Sequence, residues 1–195
     1  PQELMVANAL LFLFAALGMH VLVFEDMTYE LRVTNRQLQT AQEDLREQAI
    51  TDPLTDCHNR RFFDEVIGRE LQRHDRYKIP LSFLFVDVDR FKDVNDSLGH
   101  EAGDRLLQYV ALFLRRNVRE ADHVFRWGGD EFLLMLSCRL DAAQRKAFEL
   151  KEAFQGALKT ATAPLPAGVG LSVGYSEVVS PDDDIMERVR EAVER

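Results

Sequence analysis

A chain of 195 residues with 46% hydrophobic content is long enough for one principal globular domain and an additional segment. Its net charge of −9 excludes the basic footprint of a protein that grips a nucleic acid polymer, yet leaves room for a single nucleotide whose phosphates a metal ion would neutralise. Two cysteines, Cys57 and Cys138, are too few for a disulfide framework and lack zinc-ligand spacing, so both read as free thiols in a reducing compartment.

The chain opens on Pro1, as a fragment would, and runs into LMVANALLFLFAALGMHVLVF at residues 4–24. Only Asn8 and His20 interrupt this uncharged stretch. About 20 such residues cross a bilayer core of about 30 Å. No basic residue precedes the run and no small-residue cleavage site follows it, which argues against a secretory signal. Residues 1–24 therefore read as a transmembrane segment, the alternative being a buried helix of an upstream domain. Arg32 and Arg36 follow the run, which sets its C-terminal side in the cytoplasm.

Residues 25–50 change character. They are polar, and 25–48 contain no Gly or Pro. Phe24, Leu31, Leu38 and Leu45 recur every seven residues, one seam of a coiled coil. The positions four on are Thr28, Asn35, Gln42 and Ala49, a poor second seam. The segment reads as a parallel dimerising linker helix of marginal strength, the alternative being a single solvated helix. Thr51-Asp52-Pro53 ends it, because the residue before proline disfavours α geometry.

Residues 51–195 read as the principal domain. Phe63, Val66, Ile67 and Leu71 give helical spacing over 60–76. LSFLFVDV at 81–88 is an apolar run of strand length. Leu106, Leu107, Val110, Leu114 and Val118 mark a helix over 103–118. Strands are predicted at 124–127, 132–137 and within 168–179, with helices at 141–160 and from 182 onward.

The stretch RWGGDEFLL at 126–134 places two glycines and two acids between two strand runs. A Gly-Gly turn would make this a hairpin, with the glycines supplying positive φ and Asp130 and Glu131 at the tip. If the strand ending in FVDVD lies beside the hairpin, Asp87 and Asp130 point at one spot. Two carboxylates ~4 Å apart repel by about 4 kcal/mol at an effective dielectric of 20, so a proton or a cation must neutralise them. An all-oxygen ligand set favours Mg²⁺ or Mn²⁺ over zinc. The alternative is an exposed acidic turn and a strand-capping Asp. His58, His74, His100 and His123 suggest no cluster.

These motifs carry a resemblance. GGDEF at 128–132 resembles the signature of the GGDEF family, the diguanylate cyclases. DPLTDCHNRRFF at 52–63 resembles its opening motif, and DVDRFKDVND at 87–96 with LGHEAGD at 98–104 its nucleotide-binding stretch. The motifs occur in the family's order from residue 51 to about 195. The resemblance implies an α/β (α+β) palm-like nucleotidyl cyclase fold, a mostly antiparallel sheet flanked by helices. It implies condensation of two GTP into cyclic di-GMP with release of two pyrophosphates, each domain of a homodimer holding one GTP. It also implies a place at the inner (cytoplasmic) membrane of a bacterium, with the catalytic domain in the cytoplasm.

Carried over by position, Asp87, Asp130 and the Val88 carbonyl would ligate Mg²⁺ or Mn²⁺. Glu131 would ligate or help deprotonate the 3′-hydroxyl. Asn95 and Asp104 would read the guanine edge, Leu54 would pack on the base, and the amides of Phe91 and Lys92 would reach the terminal phosphates. READ at 119–122 resembles the family's R-x-x-D inhibitory site, with Arg119 and Asp122 taking cyclic di-GMP and Arg126 supporting that site or a phosphate. Cys57 stands where the family has Leu, and Trp127 where it has Tyr. Family members continue with Ala-Lys and Gly-Arg-Asn segments that touch phosphate. This chain stops at Arg195, which suggests truncation or weakened phosphate binding. A second reading is thus a domain of weak turnover that binds GTP or cyclic di-GMP and reports it.

Overall fold

The computed structural model describes residues 2–159, 168–179 and 187. The predicted helix from 182 onward lies outside the described residues apart from that single position. Two compact units, Pro1–Glu47 and Gln48–Arg195, divide the chain.

The first unit is helical. Helix α1 runs Gln2–Ile50 and stops at the Thr51-Asp52-Pro53 boundary. Phe24, Leu31 and Leu38 of the heptad seam are all exposed, while the side chain of Leu45 is outside the described set. Among the described residues, no helix is long and apolar enough to cross a membrane. Most side chains of the expected span at 4–24, 4–11 included, lie outside the described residues.

Among its described residues, the second unit is a five-stranded sheet flanked by helices. In chain order it comprises β1 (His58–Asn59), α2 (Arg60–Tyr77), β2 (Ser82–Asp89), α3 (Phe91–Leu98), α4 (His100–Asn117), β3 (His123–Gly128), β4 (Glu131–Leu136), α5 (Leu140–Lys159) and β5 (Gly170–Glu177). The strand order is β1-β3-β4-β2-β5. Among the described residues only the short β1–β3 pair is parallel. The other pairs are antiparallel, as the mixed α/β reading expects.

Alternation along the strands divides the core. Leu84, Val86 and Val88 of β2 and Phe132, Leu134 and Leu136 of β4 share a cluster with Leu107, Val110 and Leu114 of α4 and Leu150 and Phe154 of α5. The intervening Phe83, Phe85, Leu133 and Met135 share another with Phe63 and Val66 of α2. Successive side chains point to opposite faces of a strand. A strand covered on both faces thus reads as the unbroken apolar run seen at 81–88. Phe63 is the centre of the α2 side, meeting Phe83, Phe125 and Trp127 edge-on at centroid distances of 6.1, 5.4 and 5.2 Å.

Three elements differ from expectation, the two-residue β1 among them. Helix α3 was not foreseen, because it has eight residues and buries only Val94. Helix α4 begins at His100 rather than at residue 103, directly after Gly99 breaks the path from α3. Cys57 is buried in the larger core cluster, so the smaller side chain is accommodated where Leu is usual. Burial pushes its thiol up to about 11, which leaves it protonated and inert at neutral pH.

Candidate active site

The hairpin β3–β4 and the end of β2 build the site. β2 pairs with β4 in a register that sets Asp87 directly opposite Glu131. Cross-strand partners project from the same face, so these two carboxylates are neighbours. The amide of Val88 donates to the carbonyl of Asp130 at 3.3 Å, which ties the hairpin tip to the strand carrying Asp87. The expected side-by-side arrangement of strand and hairpin is thus present.

The turn itself differs in one detail. Only Gly129 has positive φ, at 53°; Gly128 belongs to β3 and pairs with Glu131. A β-branched or bulky residue at 129 would be strained there. Asp130 alone occupies the tip, while Glu131 already belongs to β4.

Like-charge repulsion couples the three acids. Burial raises Asp87 above the ordinary carboxylate value, and the charges of Asp130 and Asp89 add to it. Glu131 is raised by burial, then by Asp87 and Asp130. Each raised group is therefore within electrostatic reach of the other two. Among the described residues, however, no three His, Cys, Asp or Glu side chains stand close enough to hold a metal ion as placed. The acids form an open cluster of hard oxygen donors with like charge. That chemistry fits Mg²⁺ or Mn²⁺, with Asp87, Asp130, Glu131 and the Val88 carbonyl as the available donors.

The other predicted residues lie on separate elements of the same domain. Leu54 and Phe91 are partly buried against the larger core. Phe91 and Lys92 open α3, and the residue before them, Arg90, supplies no side-chain cap. First-turn amides of a helix lack intrahelical partners and suit a phosphate. Asn95 is half-buried on α3, and Asp104 is exposed on the first turns of α4.

Arg119 and Asp122 share a tight turn between α4 and β3, in which the Asp122 amide donates to the Arg119 carbonyl at 3.0 Å. The carboxylate of Asp122 accepts from the amides of Arg119 and Ser137, both at 3.1 Å. Asp122 thus pins this turn to the end of β4, a role the sequence reading did not include. Arg119 is exposed.

Arg126 does not join them. Its Nη1 donates to Asp52 Oδ1 and Oδ2 at 3.0 and 3.1 Å, and its Nε and Nη2 donate to the Gly129 carbonyl at 3.1 and 2.8 Å. The guanidinium therefore braces the hairpin turn against the domain's opening motif. Burial would raise Asp52, but hydrogen bonds from Thr55 and Arg126 and the Arg126 charge outweigh it and hold its carboxyl low. Thr55 donates to Asp52 Oδ1 through its amide at 2.9 Å and its hydroxyl at 2.6 Å. An Asp followed by Thr three residues on is a side-chain turn signal, and it was the clue to this brace.

Two histidines also meet against expectation. The rings of His58 and His123 lie 5.9 Å apart beside Phe62 and Phe125. Burial lowers both below the ordinary value, His58 further by the charge of His123, so both favour the neutral form and pack as aromatic rings. Parallel pairing of β1 with β3 brings them together, and β1 is too short to signal itself.

Comparison with known proteins gives the family. Residues 49–195 match the family model described as diguanylate cyclase, GGDEF domain. The chain belongs to the GGDEF family. It is 45% identical over 92 residues to diguanylate cyclase DosC of Escherichia coli, covering 47% of this chain and 20% of that one. It is 41% identical over 114 residues to diguanylate cyclase TpbB of Pseudomonas aeruginosa, covering 58% and 26%. A cyclic di-GMP phosphodiesterase, NbdA of Pseudomonas aeruginosa, matches at 37% over 142 residues, covering 70% of this chain and 18% of that one. The chain thus spans about a quarter or less of these relatives. The solved coiled coil and GGDEF domain of DgcB from Caulobacter crescentus, in complex with c-di-GMP, superposes with a TM-score of 0.78 at 22% identity, over 88% of this chain and 91% of that one. Diguanylate cyclase SiaD with its activator SiaC, from Pseudomonas aeruginosa, gives 0.69 at 28% identity, over 98% and 74%. This GGDEF chain therefore shares its fold with both solved proteins.

Proposed function

We propose that this GGDEF chain is a diguanylate cyclase, joining two GTP molecules into cyclic di-GMP with loss of two pyrophosphates. The observation that carries the reading is the register that makes Asp87 and Glu131 cross-strand partners beside Asp130. Each 3′-hydroxyl attacks the α-phosphate of the opposite GTP, and pyrophosphate leaves. A bound Mg²⁺ or Mn²⁺ would lower the hydroxyl pKa and offset phosphate charge. Asp87, Asp130 and the Val88 carbonyl would hold that ion. Glu131 stands beside them as a further ligand or as the acceptor of the hydroxyl proton.

Asn95 and Asp104 bind the guanine edge. A carboxylate accepts from guanine N1–H and N2–H, which adenine does not offer, so a bound adenine would leave it unpaired. Leu54 covers the base, and the α3 amides of Phe91 and Lys92 orient the terminal phosphates. Arg119, with its fork of donors, and Asp122 would hold the product away from the reacting centre. Two nucleotides must meet, so the active form is a homodimer.

Incubating the chain with GTP and MgCl₂ or MnCl₂ and separating nucleotides by chromatography tests the reading. Cyclic di-GMP is the expected product. Asp130→Ala should lower its rate beyond the 10–100-fold loss typical of an outer-shell metal partner. Tight GTP binding without product, or an Asp130→Ala variant of full activity, would overturn the proposal.

A further inference from the structure

Gly103 lies in the first turns of α4 and is buried. It is not among the described glycines with positive φ, so backbone conformation does not require it. Alanine is the better helix former. Something else excludes a side chain there. A Cβ at residue 103 would stand 2.0 Å from Asn95 Oδ1, 3.0 Å from Asn95 Cγ and 3.2 Å from Phe91 Cε2. The first two separations are far inside van der Waals contact. The Asn95 carboxamide rests on the bare Cα of Gly103.

The backbone around this contact is tied down. The Gly99 amide donates to the Asn95 carbonyl at 2.9 Å, and the Gly99 carbonyl accepts from Ala102 and Gly103 at 3.0 and 3.3 Å. The corner between α3 and α4 is thus closed by its own hydrogen bonds. An added methyl at 103 moves the Asn95 side chain, the one flexible partner, before it moves either helix. Phe91 needs to yield only a few tenths of an ångström.

We infer that Gly103 is a positioning residue for nucleotide recognition, selecting the Asn95 rotamer that presents its carboxamide next to Asp104. The inference rests on the reading that Asn95 and Asp104 recognise guanine. Glycine at 103 then sets base selectivity without touching the base.

Equilibrium binding of GTP and of ATP to the full chain, with MgCl₂ present, tests this in Gly103→Ala, Asn95→Ala and the double variant. Gly103→Ala should weaken GTP binding about tenfold, the scale of one lost hydrogen-bonding partner, with ATP binding and thermal midpoint unchanged or the midpoint raised. Asn95→Ala should show the same loss, and the double variant should be no weaker than either single one. If Asn95→Ala loses GTP preference and Gly103→Ala does not, the inference fails and the guanine reading stands. Additive losses in the double variant also overturn it, because the glycine then acts apart from Asn95. A parallel loss of GTP and ATP with a lowered midpoint would mark a merely structural role. If Asn95→Ala keeps its preference for GTP, the guanine reading itself falls and takes the inference with it.

Discussion

At the scale of single residues, Arg126 shows how an expected ligand contact becomes a brace. Its side chain is 16% exposed and that of Asp52 is 18% exposed, so neither charge is well served by water. Removing the guanidinium leaves Asp52 and the Gly129 carbonyl short of partners. Hydrogen bonds to charged groups contribute about 1.5–3 kcal/mol, so Arg126→Ala should destabilise the domain by about that amount in urea titration. Arg126→Lys should recover only part of it, because an ammonium cannot span the carboxylate and the carbonyl as a planar fork does. The same pair predicts a pH dependence. The folded Asp52 carboxyl lies below its unfolded value. Its contribution is therefore complete above about pH 4, the unfolded range, and is lost as pH falls through the lower folded value. Asp52→Asn should have a shallower decline in stability below about pH 4 than the parent chain. An unchanged slope would remove Asp52 from the account.

At the scale of elements, what was legible followed from burial. β2 announces itself because both faces are covered, and α2, α4 and α5 because each presents one apolar stripe. The elements that escaped carry little apolar pattern. β1 has two residues, and α3 is short and buries only Val94. The acidic site was legible for the opposite reason, since glycine and adjacent acids are costly in a strand. What the residues alone could not give was register, which decides that Asp87 faces Glu131, and the tertiary partners of Arg126 and Gly103. The α2 side of the sheet offers a direct check. Trp127 is the sole tryptophan of the chain, packed edge-on against Phe63 with the Arg60 guanidinium 4.7 Å from its ring centroid. Phe63→Ala should cost about 3–5 kcal/mol by opening a cavity among Phe83, Phe125 and Trp127. Trp127 fluorescence should shift to longer wavelength in the folded state as the ring gains water. Because Trp127 precedes Gly128 directly, the same emission should report hairpin movement when GTP and Mg²⁺ are added to the parent chain. A folded Phe63→Ala variant with unaltered emission would show that α2 does not hold the strand leading to the turn.

At the scale of the whole molecule, the proposed chemistry needs two copies, since one domain holds one GTP. The heptad seam of α1 is the available means of pairing, with Phe24, Leu31 and Leu38 exposed on a single helix. Its second seam carries Asn35 and Gln42, polar residues that weaken a coiled coil while fixing its register. Such a dimer should dissociate on dilution. Specific activity should then fall with protein concentration, in step with the dimer fraction measured by analytical ultracentrifugation. Replacing Asn35 and Gln42 together with Leu should strengthen association and make activity independent of dilution over the same range. The magnitude follows from burying two leucines per chain, each contributing about 1.5–3 kcal/mol, which is at least a hundredfold in dimer affinity. Two outcomes separate the ideas. If the variant dimerises tightly but its activity per chain drops, α1 sets a pairing geometry that must adjust during turnover. If activity is constant on dilution in the parent chain while the protein is monomeric, the two-domain chemistry itself is excluded.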